Sequence, residues 1–131
     1  MKTIVRVSLF LVAVTLMLCK STAVEEEEDS VVEAKEKNEA ASIDESVSDF
    51  LTEAADARMM DLAQGRLAVK RGTTEDVRKY GELMIKDQTR LLDGIQKLAR
   101  VKKVTLPKKI SDEKEEGLSD LQEKTGKDFD K

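Results

Sequence analysis

Residues 74–103 read TEDVRKYGELMIKDQTRLLDGIQKLARVKK, and the spacing inside this stretch decides the fold. Val77, Gly81, Met84, Gln88, Leu91, Ile95 and Leu98 recur in alternating steps of four and three, the signature of one face of an α-helix. Tyr80, Ile85, Leu92 and Ala99 widen that stripe. Arg78, Lys79, Glu82, Lys86, Asp93, Lys97 and Arg100 fall on the opposite face. Glu75–Lys79, Glu82–Lys86 and Asp93–Lys97 are i,i+4 pairs with the acid first, each contributing about 0.3–0.5 kcal/mol. Thr73 or Thr74 supplies the N-cap, with Glu75 and Asp76 in the first turn, and Lys102 and Lys103 close the helix.

Upstream, a helix is expected to open at Ser46, with Asp49 completing a capping-box pattern. Phe50, Leu51, Ala54, Ala55, Leu62 and Val69 give it a broad, alanine-rich face. Gly72 ends it after Lys70 and Arg71. So short a link makes the two helices antiparallel neighbours. Downstream, Val104-Thr105-Leu106-Pro107 is extended, because a residue before proline disfavours helix. Ser111 is the expected cap of a third, shorter helix carrying Leu118 and Leu121 inward and ending at Gly126. Asp128 then reads as the N-cap of something further, with Phe129 its first core residue. The fold class that follows is all-α: an antiparallel helical bundle over residues 46–131, three helices present and a fourth truncated. Without a fourth helix one side of the second helix stays uncovered, so self-association through its apolar face is the alternative way to complete the core.

The N-terminus has the three parts of a secretory signal over residues 1–23. Lys2 and Arg6 are the basic region. Residues 7–18 are an apolar run too short for a comfortable membrane span, which needs about 20 residues. Ser21-Thr22-Ala23 offers small residues for cleavage before Val24. Leu16-Met17-Leu18-Cys19 also resembles a lipoprotein box with Cys19 as the lipidation site, although Leu18 is bulky where a small residue is usual. The expected location is therefore outside the cytoplasm: periplasmic, or tethered to the outer membrane if Cys19 is lipidated. Membrane contact is expected only through the signal or that lipid. Residues 24–45 begin with Glu25-Glu26-Glu27-Glu28-Asp29, have few bulky apolar members, and read as an acidic disordered linker.

Composition excludes several function classes. The 131 residues contain no His, no Trp and one Cys, so neither a Ser-His-Asp nor a Cys-His pair exists, nor any His-ligated metal. One cysteine cannot build a disulfide framework. Aromatics at 3% are too sparse for a base-stacking surface. Removing Lys2, Arg6 and Lys20 from the 23 basic residues, against 27 acids, leaves a mature net charge of −7. That argues against nucleic acid as a partner.

The order and spacing of several short motifs resemble a known family. They are Phe50, Ala54-Ala55, Met59, Gly65 and Leu67-Ala68; Val77, Lys79-Tyr80-Gly81, Met84 and Asp87; Leu98-Ala99 and Val104-Thr105-Leu106-Pro107; and Leu118, Leu121, Gly126 and Phe129-Asp130. Together they resemble the bacterial exported family catalogued as domain of unknown function 4142. The resemblance implies a ferritin-like helical bundle that continues past the Phe-Asp pair, and it implies no activity. The family usually has Asp-His where this chain has Asp87-Gln88. Asp87 and Gln88 are thus either a degenerate metal or ligand site, or a core amide fixing helix register, the reading favoured for a polar residue on an apolar stripe. Glu53, Asp56, Glu82 and Asp87 are candidates for a carboxylate cluster, against the plainer reading of a solvated face. Met59, Met60 and Met84 are core filler rather than soft-metal ligands. The expectation is a non-enzymatic exported envelope protein with no cofactor. The alternative is a ferritin-like metal or redox protein whose site is completed by further C-terminal helices.

Overall fold

A computed structural model describes residues 28–131. The signal at 1–23, Cys19 and the first residues of the acidic run lie outside the described residues. Among the described residues there are four α-helices, no strand, and one 3₁₀ turn: α1 Ser30–Ala40, α2 Glu45–Arg71, α3 Glu75–Lys102, α4 Asp112–Glu123, and the turn Gly126–Asp128.

The antiparallel α2/α3 hairpin is the backbone of the molecule. Its ends follow from local chemistry. Asp44, rather than Ser46, is the N-cap of α2: its carboxylate accepts from the Val47 N–H at 3.1 Å and from the Ser46 hydroxyl at 2.7 Å. Thr74 caps α3 through the Val77 N–H. Lys103 takes the left-handed conformation, and the Val104 N–H turns back to the Ala99 carbonyl at 2.9 Å. The two helices cross backbone to backbone at Gly65 and Gly81. A methyl group built on Gly81 would lie 2.7 Å from the Gly65 carbonyl oxygen and 2.9 Å from the Val69 nitrogen. At the far end of the hairpin Leu51, Ala99 and Val104 form a small core, flanked by Ile43, Val47, Ile95 and Leu106.

Residues 30–40 do not form a disordered linker; they form α1. Polar bonds to the rest of the chain, more than apolar burial, order this segment. Asp29 caps α1 through the N–H groups of Val31 and Val32, and its second oxygen accepts the Asp112 N–H at 2.7 Å. One carboxylate thereby caps two helices, α1 and α4. Those backbone donors, that of Asp112 first, hold the Asp29 carboxyl below its usual value. Asn38, 1% exposed, clasps Thr105 at both ends: its amide donates to the Thr105 carbonyl (3.0 Å) and its oxygen accepts the Thr105 N–H (2.7 Å). Ser30 accepts from the N–H groups of Lys108 and Lys109. Lys35 bridges Glu53 and Asp49 on α2, and the Glu53 bond, first among its causes, raises the Lys35 pKa.

The C-terminal third also differs from expectation. Ser111 makes no side-chain cap for α4; its N–H and hydroxyl both donate to Asp56. The helix ends at Glu123 rather than Gly126, and Gly126 (φ 57°) opens the 3₁₀ turn instead. Asp128 belongs to that turn. Phe129 is buried beneath the Arg71 guanidinium, 5.3 Å from ring centroid to charge centre. Arg71 also donates to the carbonyls of Gln122 and Lys124. Asp130 accepts both the N–H and the hydroxyl of Thr73. No described helix is long and apolar enough to cross a membrane.

Candidate interaction face

The chemistry of this chain concentrates on one broad side of the α2/α3 hairpin. Gln64 and Ala68 of α2 line a cleft together with Val77, Tyr80 and Met84 of α3, which places those residues on one side. Carrying the helical repeat along each element puts Phe50, Ala54, Ala57 and Asp61 on the same side of α2, and Asp87, Leu91 and Leu98 on the same side of α3. The side chains that hold α4 and α1 lie along the edge of this side and beyond it: Asp56 reaches Ser111 and Lys114, and Glu53 and Asp49 reach Lys35.

Much of the face is apolar and open. Phe50 is 67% exposed, Tyr80 62%, and Leu91 and Leu98 44% each. The single stripe expected on α3 therefore divides. Gly81 and Ala99 are buried against α2, whereas Tyr80, Leu91 and Leu98 are exposed. A helix with one neighbour covers only part of so wide a stripe. The cleft lies at the end of the face nearest the α2/α3 turn; its volume is about 510 Å³, with Phe129 and Asp130 on its walls. The Thr73 hydroxyl and N–H hold the Asp130 carboxyl below its usual value, so it stands ionised at the cleft rim.

A polar group sits at the middle of the face. Arg58 donates to the Gln88 amide oxygen at 3.1 Å and pairs with Asp61 at 3.2 Å. Gln88 is thus a half-buried amide bonded across the two helices. Asp87 is not part of that group; its carboxylate lies 3.9 Å from Arg90, three residues along α3. The four carboxylates considered as a cluster are not brought together. Glu53 is paired with Lys35, and Asp87 with Arg90. Glu82 is exposed. Asp56, which is buried, accepts from the Ser111 N–H (2.8 Å), the Ser111 hydroxyl (3.0 Å) and Lys114 (2.7 Å). Among the described residues no group of three or more Cys, Asp or Glu side chains is placed to hold a metal ion. Met84 packs against Gly65 and lines the cleft, and the Met60 methyl faces Gly117.

Residues 32–131 match the family model described as a domain of unknown function (DUF4142). The chain belongs to the DUF4142 family. No curated protein and no solved structure shows significant similarity to it. The matched region begins within α1 and includes the whole of α2, α3 and α4. In this DUF4142 member α1 is therefore largely within the family's domain, not a spacer before it. Sequence reasoning missed Asn38, Ser30 and Asp29 as positioning residues. The available signal was Asp29 two residues before paired valines, an N-cap pattern masked by the acidic run that precedes it.

Proposed function

We propose that this protein is an exported, non-enzymatic component of the bacterial cell envelope that acts by binding through the open face of α2 and α3. The observation that carries the reading is the face itself: exposed Phe50, Tyr80, Leu91 and Leu98 around a central Arg58–Gln88–Asp61 group. Exposed apolar area of that kind, rimmed by charge, is what interaction surfaces present. Buried Asp56 is occupied in holding the start of α4 through Ser111 and Lys114. Export is supported by the basic region, the apolar run and the small residues at 21–23.

Intact mass and metal content of the protein purified from its host test this together. The expected species begins at Val24, or carries lipid on Cys19, and holds no stoichiometric metal. An unprocessed N-terminus overturns the export reading. Retained metal at one equivalent or more replaces it with the ferritin-like metal or redox reading.

A further inference from the structure

We propose that the outer row of α3 docks on an anionic lipid surface, with the helix lying along the plane of the headgroups. Gly81 and Ala99 are buried on the α2 side of the helix, and the helical repeat puts Lys79, Leu83, Lys86, Arg90, Lys97 and Val101 on the opposite side. All six are exposed, Leu83 by 53% and Val101 by 77%. The row lies about a quarter turn round α3 from Leu91 and Leu98, so it is separate from the open side shared with α2. It holds cations and no acid: Glu75, Glu82 and Asp93 fall along one flank, Asp76 and Asp87 along the other. Two of the three acid-first pairs expected on α3 do not close. Lys79 meets Glu75 at 2.7 Å, whereas Lys86 and Lys97 form no ion pair among the described residues.

The acidic net charge hides this row, because charge is segregated in the fold. Residues 94–111 carry Lys97, Arg100, Lys102, Lys103, Lys108 and Lys109 and no acid at all. α4 carries Asp112, Glu113, Glu115, Glu116, Asp120 and Glu123 against Lys114 alone. α1 and α4 both pack on α2, so the row lies on the far side of α3 from them. The molecule thus has an acidic side and a basic side, and a negative surface attracts the basic one. The shape of the row favours lipid headgroups over an acidic protein. It is straight, about 33 Å from Lys79 to Val101, and matches a plane rather than a pocket. Its two aliphatic residues stand about 27 Å apart, so it lacks the central apolar cluster of a protein interface. Lysine and arginine stems suit an interface in which the chain is apolar and the charge meets phosphate, and Leu83 and Val101 reach the acyl boundary between them. This contact is additional to the signal or lipid anchor expected from the sequence.

Vesicle sedimentation tests this on the chain with its signal removed, beginning at Val24. Binding is expected to vesicles of phosphatidylglycerol and phosphatidylethanolamine at low salt, and not to vesicles of phosphatidylcholine. It is expected to disappear at about 0.5 M salt, where charges are screened within about 4 Å. Each cation near an anionic surface strengthens binding about fivefold, so Lys86→Gln with Lys97→Gln is expected to weaken it about 30-fold. Both positions are exposed, so helical content is expected to stay the same. Lys70→Gln with Lys124→Gln makes the same change in net charge away from the row, and is expected to leave binding within about threefold. Failure of the unsubstituted chain to bind the anionic vesicles overturns the proposal, as does equal binding to phosphatidylcholine or equal weakening by the two pairs of substitutions. Binding that appears only when Glu25, Glu26, Glu27 and Glu28 are replaced by glutamine makes the chain's own acidic run the occupant of the row, and overturns the proposal too. None of these outcomes bears on the open face, on export or on metal content, so the failure of this proposal is distinguishable from failure of the functional reading.

Discussion

Gly81→Ala and Gly94→Ala have opposite expected effects although both replace glycine inside α3. Alanine is favoured over glycine in a helix interior by about 1 kcal/mol. At Gly94 nothing lies within 4 Å of the new methyl, so the full gain is expected: about 1 kcal/mol, or 4–8 °C in midpoint temperature for a domain of this size. At Gly81 the methyl meets the Gly65 carbonyl oxygen at 2.7 Å, the Val69 nitrogen at 2.9 Å and the Ala68 Cβ at 3.0 Å. Ordinary contact is about 3.5–4 Å, and two of these neighbours are backbone atoms that no side-chain rotation can move. The helices must separate by roughly 1 Å, and overpacking of this kind costs about 1–3 kcal/mol. The loss spreads along the hairpin, because α2 and α3 are rigid rods that separate together. After the propensity gain is subtracted, Gly81→Ala is expected to destabilise by about 0–2 kcal/mol. The two variants should therefore differ by about 1–3 kcal/mol, the overpacking cost alone. Urea unfolding followed by circular dichroism measures this. Equal stabilisation by both substitutions would show that the helices do not meet at these glycines.

Asn38→Ala removes both bonds to Thr105, at about 1 kcal/mol each, and is expected to raise amide exchange in α1 about 30-fold while α2 and α3 keep their protection. Uniform acceleration across all helices would mean that α1 is not a separately docked element. Thr52→Val keeps the shape of a fully buried side chain and removes a hydroxyl without a partner, so it is expected to raise stability by about 1 kcal/mol; a lowered unfolding midpoint would reveal a partner for that hydroxyl. The Asp29 carboxyl lies below its ordinary value of 3.8 in the folded chain, so its contribution is present above about pH 4 and is lost as the pH falls through the lower, folded value. Glu33, Asp44 and Asp130 are shifted in the same direction. Acid titration of stability is expected to show a steep decline below pH 4 that is shallower in Asp29→Asn; identical acid limbs would remove the double cap from the account.

The hairpin was legible because its information is apolar and periodic. Thr74, Gly72 and the four-three spacing from Val77 onward locate α3 and its antiparallel partner within a residue or two. α1 was illegible for the complementary reason. Its buried members include Ser30 and Asn38, whose partners stand 78 and 67 residues away, and no local pattern announces a hydrogen bond across that distance. Ser111 is similar: as a sequence signal it caps α4, yet its hydroxyl is drawn to buried Asp56 on α2 while Asp29 takes the Asp112 N–H. For the candidate site, Gln88 was legible as an anomaly on an apolar stripe. Arg58 as its partner was not, since at the edge of α2 it reads as a solvated charge. The division of the α3 stripe into covered and open rows depends on where neighbouring elements stand, which periodicity does not specify.

The attachments of α1 and α4 bear on why the face stays open. Each is held chiefly through side chains that accept backbone N–H groups at helix or loop starts: Asn38 at Thr105, Ser30 at Lys108, Asp56 at Ser111, Asp29 at Asp112. Such contacts depend on position and are available only where those starts lie. They fix α1 and α4 along the side of α2 that carries Asp49 and Asp56, with Glu53 at its edge, and not over Phe50. On the open side the apolar area is large and the polar group at its centre, Arg58 with Gln88 and Asp61, is already internally paired. A partner covering it need not supply a countercharge, but it must leave that group its bonds, since an uncompensated buried charge costs several kcal/mol. An apolar helix laid over the face would have to match a polar centre it did not carry. The central pair therefore discriminates among partners more than it adds affinity, which is the role a polar residue on an apolar helix seam commonly has.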